Sequence, residues 1–320
     1  MRKAILAGLL LALWSQATFT PRVAFADGIY WTQKHEIWRA DLDGSNSEIL
    51  VSGLTKARGV ALDTTADKIY WADYGSDKIQ RANLDGSEVE DLVTTGILGP
   101  RGLALDSENG KMYWSDKDTD KIQRANLDGT NIEDLVTTGL KYPYTVRLDV
   151  RAEKVYWVDR HTRKIQRANL DGTQVEDLVT LSPPHEYITN GFALDTAHDK
   201  MYFNLHSATH NSIMSASLSG ENVQTVLSGI GFPQGLALDL AAGQMYFAEN
   251  DEARNTSTIT RANLDGSDAE PLATQGHYAS VRLIALDFTP VPEPSTVIML
   301  AMGALGLLAV GRKNSTEQKT

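Results

Sequence analysis

The sequence predicts an all-β protein, a six-bladed β-propeller with four antiparallel strands per blade, and three interleaved repeats carry this prediction. Tyr-Trp or Tyr-Phe pairs recur every 40 to 46 residues, beginning at Tyr30, Tyr70, Tyr113, Tyr156, Tyr202 and Tyr246. Leu-Asp-Gly, once as Leu-Ser-Gly, begins at Leu42, Leu84, Leu127, Leu170, Leu218 and Leu264. Ala-Leu-Asp, once as Arg-Leu-Asp, ends at Asp63, Asp106, Asp149, Asp195, Asp239 and Asp287. Six copies of a unit of this length are typical of a propeller.

Each unit contains four short strands, as its third copy shows. Gly102–Asp106 is a short apolar strand, and Lys111–Trp114 is the second strand after a turn-rich linker. Residues 122–127 form the third strand, which ends at the hairpin turn Asp128-Gly129, and residues 132–137 form the fourth. Four antiparallel strands per repeat are the content of one propeller blade.

The positions of the repeats along the chain predict how the ring closes. The first repeat begins with its second strand, at Tyr30-Trp31, and the chain supplies an extra first strand at Ile284–Phe288. This last strand is expected to complete the N-terminal blade, because a propeller protects its strand edges by closure. We therefore expect one domain over residues 27–289.

Composition and charge exclude several functional classes. The 320 residues hold 30 Lys and Arg against 41 Asp and Glu, and no cysteine, which excludes disulfides and thiolate metal sites. The net charge is −11, and it becomes −16 for the body once three positive charges before Asp27 and a net +2 after Pro294 are set aside. Such an acidic body disfavours nucleic acid and anionic lipid, and predicts a neutral or cationic ligand.

The N-terminus is typical of a secretory signal peptide over residues 1–26. Arg2 and Lys3 precede a short apolar run, and Ala24-Phe25-Ala26 offers small residues for cleavage before Asp27. Signal peptidase is therefore an expected processing partner, and we expect the protein to be exported.

The C-terminal tail, residues 290–320, resembles the bacterial PEP-CTERM sorting signal. Pro292, Glu293 and Pro294 precede an apolar run over 296–310 and then Arg312-Lys313. As a helix, the apolar run would be about 22 Å long, shorter than the roughly 30 Å hydrocarbon core of a bilayer. A plain membrane anchor is the alternative interpretation of this segment. The resemblance implies removal by an exosortase in a Gram-negative bacterium that makes extracellular polysaccharide. It also implies transient anchoring in the inner membrane, with the mature protein at the cell envelope, on the outer surface or secreted.

The repeats themselves resemble the YWTD, or low-density lipoprotein receptor class B, repeat. Tyr-Trp-x-Asp occurs at 70–73, 113–116 and 156–159, and Ile-Gln-Arg-Ala-Asn-Leu-Asp-Gly begins at 79, 122 and 165. The resemblance spans about 27–289 and implies a propeller that binds extracellular proteins and has no catalytic activity. Eukaryotic receptors flank such propellers with disulfide-rich modules, which this chain lacks.

Repeated carboxylates and arginines predict ion pairs within the blades. The residue after Tyr-Trp-x is acidic in four copies, and the third strand carries an Arg in those copies. One copy has Leu205 and Ser215 at these two positions, so both groups are lost together. Cross-strand pairing explains this joint loss, since one buried charge alone is costly. The predicted pairs are Asp73 with Arg81, Asp116 with Arg124, Asp159 with Arg167, and Glu249 with Arg261.

Metal sites and catalytic groups are not predicted, and no cofactor is expected. Asp116, Asp118 and Asp120 have the spacing of the first calcium-loop ligands, but Lys121 stands where that loop needs Gly. His206 and His210 have no evident third ligand.

Ligand binding is expected on the face that carries the loops between strands two and three and the connections between blades. Loop lengths vary there, whereas the opposite face repeats one Asp-Gly turn. The candidates combine residues that open the first strands around the pore with residues of the variable loops. The pore candidates are Arg58, Arg101, Tyr144, Asn190, Gln234 and Arg282, and the loop candidates are His185, Tyr187, His206, Glu249, Asp251 and Arg254.

Two functional hypotheses follow. The first is a monomeric, exported, non-enzymatic binding or scaffold propeller that recognises a protein or glycan at the envelope or in the polysaccharide matrix. The alternative is a metal-dependent hydrolase or lyase, similar to a lactonase, with its site in the pore. An enzyme of that kind needs carboxylate, Asn and His groups that converge on the axis.

Overall fold

A computed structural model describes residues 27–182, 186–251, 253–276 and 280–287, and confirms the six-bladed propeller. The described chain contains twenty-four strands in six antiparallel sheets of four. In blade 1 lie β1 (Gly28–Gln33), β2 (Glu36–Asp41) and β3 (Glu48–Val51); in blade 2, β4 (Ala57–Asp63), β5 (Lys68–Asp73), β6 (Lys78–Asn83) and β7 (Glu90–Val93); in blade 3, β8 (Pro100–Asp106), β9 (Lys111–Asp116), β10 (Lys121–Asn126) and β11 (Glu133–Val136). Blade 4 has β12 (Pro143–Asp149), β13 (Lys154–Asp159), β14 (Lys164–Asn169) and β15 (Glu176–Thr180); blade 5, β16 (Tyr187–Asp195), β17 (Lys200–His206), β18 (Asn211–Ser217) and β19 (Gln224–Ser228); blade 6, β20 (Phe232–Asp239), β21 (Gln244–Asp251), β22 (Thr256–Asn263) and β23 (Glu270–Gln275); β24 (Val281–Asp287) follows.

The ring closes as predicted, with the last strand inside the first blade. Strand β24 pairs antiparallel with β1, so that Ile284 lies opposite Trp31, and the sheet order is β24-β1-β2-β3. Strand β24 begins at Val281, earlier than the predicted start at Ile284, while Phe288 lies outside the described residues. The innermost strands β4, β8, β12, β16, β20 and β24 contact one another in this order around the pore, and β24 contacts β4.

The hydrophobic core lies between neighbouring blades. Successive side chains of a strand point to opposite faces, so the Tyr and the aromatic residue after it pack on different neighbours. Trp71 packs with Tyr30 of the preceding blade, and Trp114 packs with Tyr70. The tryptophans of the first four repeats are fully buried. The repeated aromatic pair therefore joins each blade to both of its neighbours.

The Ile-Gln-Arg segment is repeated because its Gln completes a buried polar contact. Trp114 Nε1 donates to Gln123 Oε1 at 3.0 Å, and Gln123 Nε2 donates to Asp134 at 2.7 Å. Lys121 Nζ lies 2.7 Å from the same Asp134. Blades 2 and 4 repeat this network. The indole N–H thus has a partner, as a buried donor requires.

The predicted ion pairs between strands two and three are not formed. Antiparallel pairing places Lys121 opposite Asp116 and Tyr113 opposite Arg124, so Asp116 and Arg124 lie three residues apart along the hairpin, about 10 Å. Arg124 instead pairs with Glu133 of the fourth strand, and its guanidinium also donates to the carbonyl of Leu170 in the next blade at 3.0 Å. The equivalent pairs are Arg81 with Glu90, Arg167 with Glu176, and Arg261 with Glu270.

The acidic residues of the predicted pairs have a different role. The carboxylate of Asp116 accepts the backbone N–H groups of Leu98 at 2.7 Å and Thr119 at 3.2 Å. The same role recurs: Asp73 accepts from Thr55 and Lys56, Asp159 from Lys141 and Thr162, and Glu249 from Gly231 and the hydroxyl of Thr260. Burial raises the pKa of Asp116 and of Asp159, against the lowering effect of these hydrogen bonds. These carboxylates fasten the connection between blades to the hairpin of strands two and three.

Candidate ligand-binding groove

The residues that open the innermost strands meet around one mouth of the pore. Arg58, Tyr144, Asn190 and Gln234 are buried, and Arg101 and Arg282 are partly buried. The Nδ2 amide of Asn190 donates to Gln234 Oε1, which also accepts from Arg282 at 3.5 Å. These six residues form what we call the mouth ring.

Hydroxyl and amide side chains hold the backbone of the mouth ring. Thr32 donates to the carbonyl of Arg58 at 2.7 Å, and Asn204 donates to that of Gln234 at 2.5 Å. Ser115 donates to the carbonyl of Tyr144. Thr32, Ser115 and Asn204 follow the aromatic pair in blades 1, 3 and 5, where blades 2, 4 and 6 have Ala72, Val158 and Ala248. This alternation is visible in the sequence and is a signal from which these three residues could have been found.

Two glycines allow the innermost strands of neighbouring blades to approach closely at the mouth ring. A Cβ on Gly59 would overlap the carbonyl oxygen of Arg101, and a Cβ on Gly102 would overlap that of Tyr144. The residue after each of two mouth arginines must therefore lack a side chain, since the backbone of the next blade lies against it.

A groove of about 1120 Å³ extends from the mouth ring outward over blades 5 and 6. Ten predicted candidates line it: Arg101, Tyr144, Tyr187, Asn190, His206, Gln234, Glu249, Asp251, Arg254 and Arg282. Arg58 lines a small adjoining cavity together with Arg101 and Arg282, and His185 lies outside the described residues. The lining also includes residues that the sequence analysis did not single out, among them Arg160, Thr189, Asn211, Phe232, Asn250, Thr256 and Thr258.

An aromatic row lies along the groove beside the mouth ring. Tyr187 and His206 face each other across β16 and β17, with ring centroids 4.8 Å apart, and His206 contacts Phe232 at 4.7 Å. The guanidinium carbon of Arg160 lies 4.2 Å from the Tyr187 ring centroid. The row thus offers flat apolar faces within reach of a cation.

Positive charge is concentrated on one side of the mouth. Around the ring of Tyr74 lie Lys56 at 5.0 Å, Lys117 at 5.5 Å, Arg101 at 5.7 Å and Arg58 at 5.9 Å from the centroid. Arg101 also stacks on Tyr144 at 3.7 Å. Asp118 is bound by Lys117 at 2.5 Å.

These cations destabilise one another's charged, protonated forms, which lowers their pKa values. Burial, followed by the charges of Arg101 and Arg282, lowers the pKa of Arg58 to about 9. Burial and neighbouring arginines likewise lower the pKa of Arg101 to about 10, and that of Lys56 falls for the same reasons. Burial acts to raise the pKa of Tyr144, but Arg101 and Arg160 outweigh it and the pKa is lowered. At neutral pH the arginines stay charged, so the mouth is electropositive within an acidic protein.

The side chains whose spacing resembles that of metal ligands form hydrogen bonds and ion pairs with other residues. Asp120 accepts from Lys141 Nζ and from the N–H of Tyr142, both at 2.8 Å. His206 Nδ1 lies 2.6 Å from Asn211 Oδ1, while His210 contacts Ser207 and Thr209. Within the described ranges, no group of three or more His, Asp or Glu residues is arranged to hold a metal ion.

Comparisons with known proteins agree with the fold and with the tail. Residues 67–107 match the low-density lipoprotein receptor repeat class B, and residues 290–313 match the PEP-CTERM protein-sorting motif. The chain is 47% identical over 64 residues to Nidogen-2 of Mus musculus, a match that covers 19% of this chain and 5% of Nidogen-2. The chain therefore spans a small part of the length of that relative.

Solved structures show the same architecture. A chain from a crystal structure of a nidogen/laminin complex superposes with a TM-score of 0.71 at 19% identity, covering 83% of this chain and 100% of that one. TolB from Acinetobacter baumannii superposes with a TM-score of 0.67 at 13% identity, covering 81% of this chain and 66% of TolB. At these identities the likeness establishes the fold alone.

The chain thus carries the class B (YWTD) repeat on a six-bladed propeller, as its sequence predicted. Its PEP-CTERM motif implies export to the cell envelope and processing by an exosortase. In the part of the chain that the structure describes, no helix has the length and apolarity needed to cross a membrane. The predicted signal peptide and the apolar run at 296–310 lie outside that part.

Proposed function

We propose that this protein is an exported, non-enzymatic binding module that recognises a ligand in the groove beside the mouth ring. The observation that carries the proposal is the groove itself, which gathers most of the variable-loop candidates onto one face of a rigid ring. Recognition groups on a rigid scaffold lose little conformational entropy on binding. A propeller of this type occurs in a nidogen/laminin complex, which supports a binding role here.

The composition of the mouth ring favours binding over the alternative of a pore-centred hydrolase or lyase. The ring consists of three arginines, a tyrosine, an asparagine and a glutamine, without a carboxylate to ligate a cation or accept a proton. Glu249, on the groove wall, already accepts from Gly231 and Thr260 at 2.7 and 2.8 Å. These groups are suited to hydrogen bonding and charge recognition.

The place of action follows from the two ends of the chain. We propose cleavage of residues 1–26 by signal peptidase, transient anchoring by the apolar run at 296–310, and release of the propeller to the outer surface or the polysaccharide matrix. Intact-mass measurement of protein from its host decides this, because a mature form that retains residues 296–320 would be permanently anchored.

Binding of the full chain to two fractions of its host, envelope proteins and extracellular polysaccharide, tests the function. We expect one fraction to bind, and Tyr187→Ala and Arg254→Ala to weaken that binding without lowering the melting temperature. Glu221→Ala is the matched control, since Glu221 is exposed on a turn of the opposite face. Retention of neither fraction would refute a binding role, and equal losses in all three variants would place the site elsewhere.

A further inference from the structure

Arg58 and Arg101 of the mouth ring line a small cavity that has no carboxylate among its described lining residues. Arg58 is 8% exposed, and its Nε has no hydrogen-bond partner in the structure. The structural arginines of the blades differ, since Arg81, Arg124 and Arg167 each pair with a glutamate. A buried cation without an acid is costly, and a ligand that supplies the opposite charge offsets that cost.

Three acids on the same face are engaged with other groups. Asp73 and Asp116 accept backbone N–H groups of the connections between blades, and Asp118 is bound by Lys117. Tyr74 and Tyr144 present their rings to the cations, which stabilises charge without neutralising it. The guanidinium groups of Arg58 and Arg101 therefore remain available to an anion that enters from the groove.

We propose, building on the binding function above, that the mouth ring binds a carboxylate of an acidic polysaccharide whose chain lies along the groove. Arginine guanidinium groups match carboxylate geometry through paired N–H donors.

The rest of the groove suits a carbohydrate better than a peptide. Beyond the mouth it is lined by hydroxyl and amide groups and by two carboxylates, namely Thr189, Asn211, Asn250, Thr256, Thr258 and Thr260, with Glu249 and Asp251. Such groups donate and accept, as sugar hydroxyls do. The aromatic row of Tyr187, His206 and Phe232 offers flat faces, whereas Ile230, Ala269 and Pro271 are the aliphatic and proline lining. Protein anchors generally fill apolar pockets, and here the lining is mainly polar.

This inference replaces the expectation of a neutral or cationic ligand that the net charge suggested. Charges further apart than about 8 to 10 Å are largely screened at physiological ionic strength. A ligand carboxylate at the mouth therefore experiences Arg58, Arg101 and Arg282 more strongly than the acidic outer surface.

Calorimetric titration of the full chain with oligogalacturonate tests the inference, with the methyl-esterified oligosaccharide as the matched uncharged probe. We expect binding that weakens as salt increases, and an ester that binds at least about tenfold more weakly. Arg101→Gln and Arg58→Met should each weaken binding of the free acid by about tenfold or more. Arg151→Gln removes the same charge from an exposed turn on the opposite face and should leave binding unchanged.

The outcomes separate the inference from the broader function. Equal affinity for acid and ester, or equal effects of Arg101→Gln and Arg151→Gln, would overturn the carboxylate assignment. Tighter binding of polyglutamate than of oligogalacturonate would make the site one for acidic peptides. If no acidic probe binds while a host fraction is still retained, the anion assignment fails and the binding function stands. Because Arg101 is partly exposed, its variant remains informative even if Arg58→Met does not fold.

Discussion

At the residue scale, the proposed role of Arg58 in recognition has a cost in stability. Its side chain is almost fully buried, next to Arg101 and Arg282 and over the ring of Tyr74, so its charge is stabilised by the aromatic ring but opposed by its neighbours. A structural arginine such as Arg124 pairs with Glu133 instead. Buried charge that folding alone does not need is common at functional sites.

Replacing Arg58 with methionine should therefore stabilise the free protein. The pKa of Arg58 is lowered to about 9, so at neutral pH the folded state bears the full cost of its charge. That cost begins to fall only as the pH rises above 9, where the folded protein loses the proton that the unfolded chain still holds. We expect Arg58→Met to gain about 1 kcal/mol, or about 2 to 4 °C in melting temperature.

Differential scanning calorimetry near pH 7 measures this effect. Arg124→Met is the control, since it leaves Glu133 without its arginine and should not stabilise. A melting temperature that falls for Arg58→Met by as much as for Arg124→Met would mean that Arg58 is a structural residue.

At the element scale, hairpin register decides which charges meet. The joint loss of the acid and the arginine in blade 5, where Leu205 and Ser215 stand, correctly indicated that the third-strand Arg depends on a partner, but the partner is the fourth-strand Glu. Blade 5 has Gln224 where blades 1 to 4 and 6 have glutamate, so the same joint loss occurs there. The fourth-strand glutamate accompanies the arginine in all five blades that have one, whereas blade 1 combines Arg39 with Gln33 at the second-strand position, so the sequence itself favours the glutamate as the partner. Counting residues around the hairpin from Asp116 to Lys121 would have favoured Tyr113 as the residue opposite Arg124.

A pair of double-mutant cycles tests these assignments. Asp116 and Arg124 should show a coupling energy within about 0.5 kcal/mol of zero, whereas Arg124 and Glu133 should couple by up to about 1 kcal/mol. Asp116→Ala alone should cost about 1 to 3 kcal/mol, because two backbone N–H groups lose their acceptor. Denaturant unfolding measures all of these values, and strong coupling between Asp116 and Arg124 would contradict the register.

At the scale of the whole molecule, the fold could be predicted because each copy of the repeat confirms the others. Aromatic pairs, Asp-Gly turns and the offset of the first strand gave the blade count and the closure by β24. The groove could be predicted only in part. Loop length pointed to its face, but its shape depends on how Gly59 and Gly102 bring neighbouring blades together. The electropositive mouth was missed because a net charge of −16 says nothing about where opposite charges are placed.

Ring closure predicts a large effect when the last strand is removed. Deleting Val281–Asp287 leaves β1 as an exposed edge and removes the packing of Ile284 and Val281 against Trp31. We expect the loss of cooperative unfolding, or a fall of several kcal/mol in the free energy of unfolding.

Truncation after residue 289 is the matched control for that deletion. It removes only the tail, which supplies no strand to the described ring, and should leave the melting temperature unchanged. Unchanged stability after deletion of Val281–Asp287 would mean that the ring closes in another way.

Hydrogen–deuterium exchange of the full chain, with and without oligogalacturonate, tests the central claim that the variable face is the binding face. The account predicts slower exchange in the strand starts around Arg101, Tyr144 and Asn190 and in the segment around Phe232, with no change in the Asp-Gly turns opposite. Protection confined to the turns at Asp85-Gly86 and Asp128-Gly129 would contradict it.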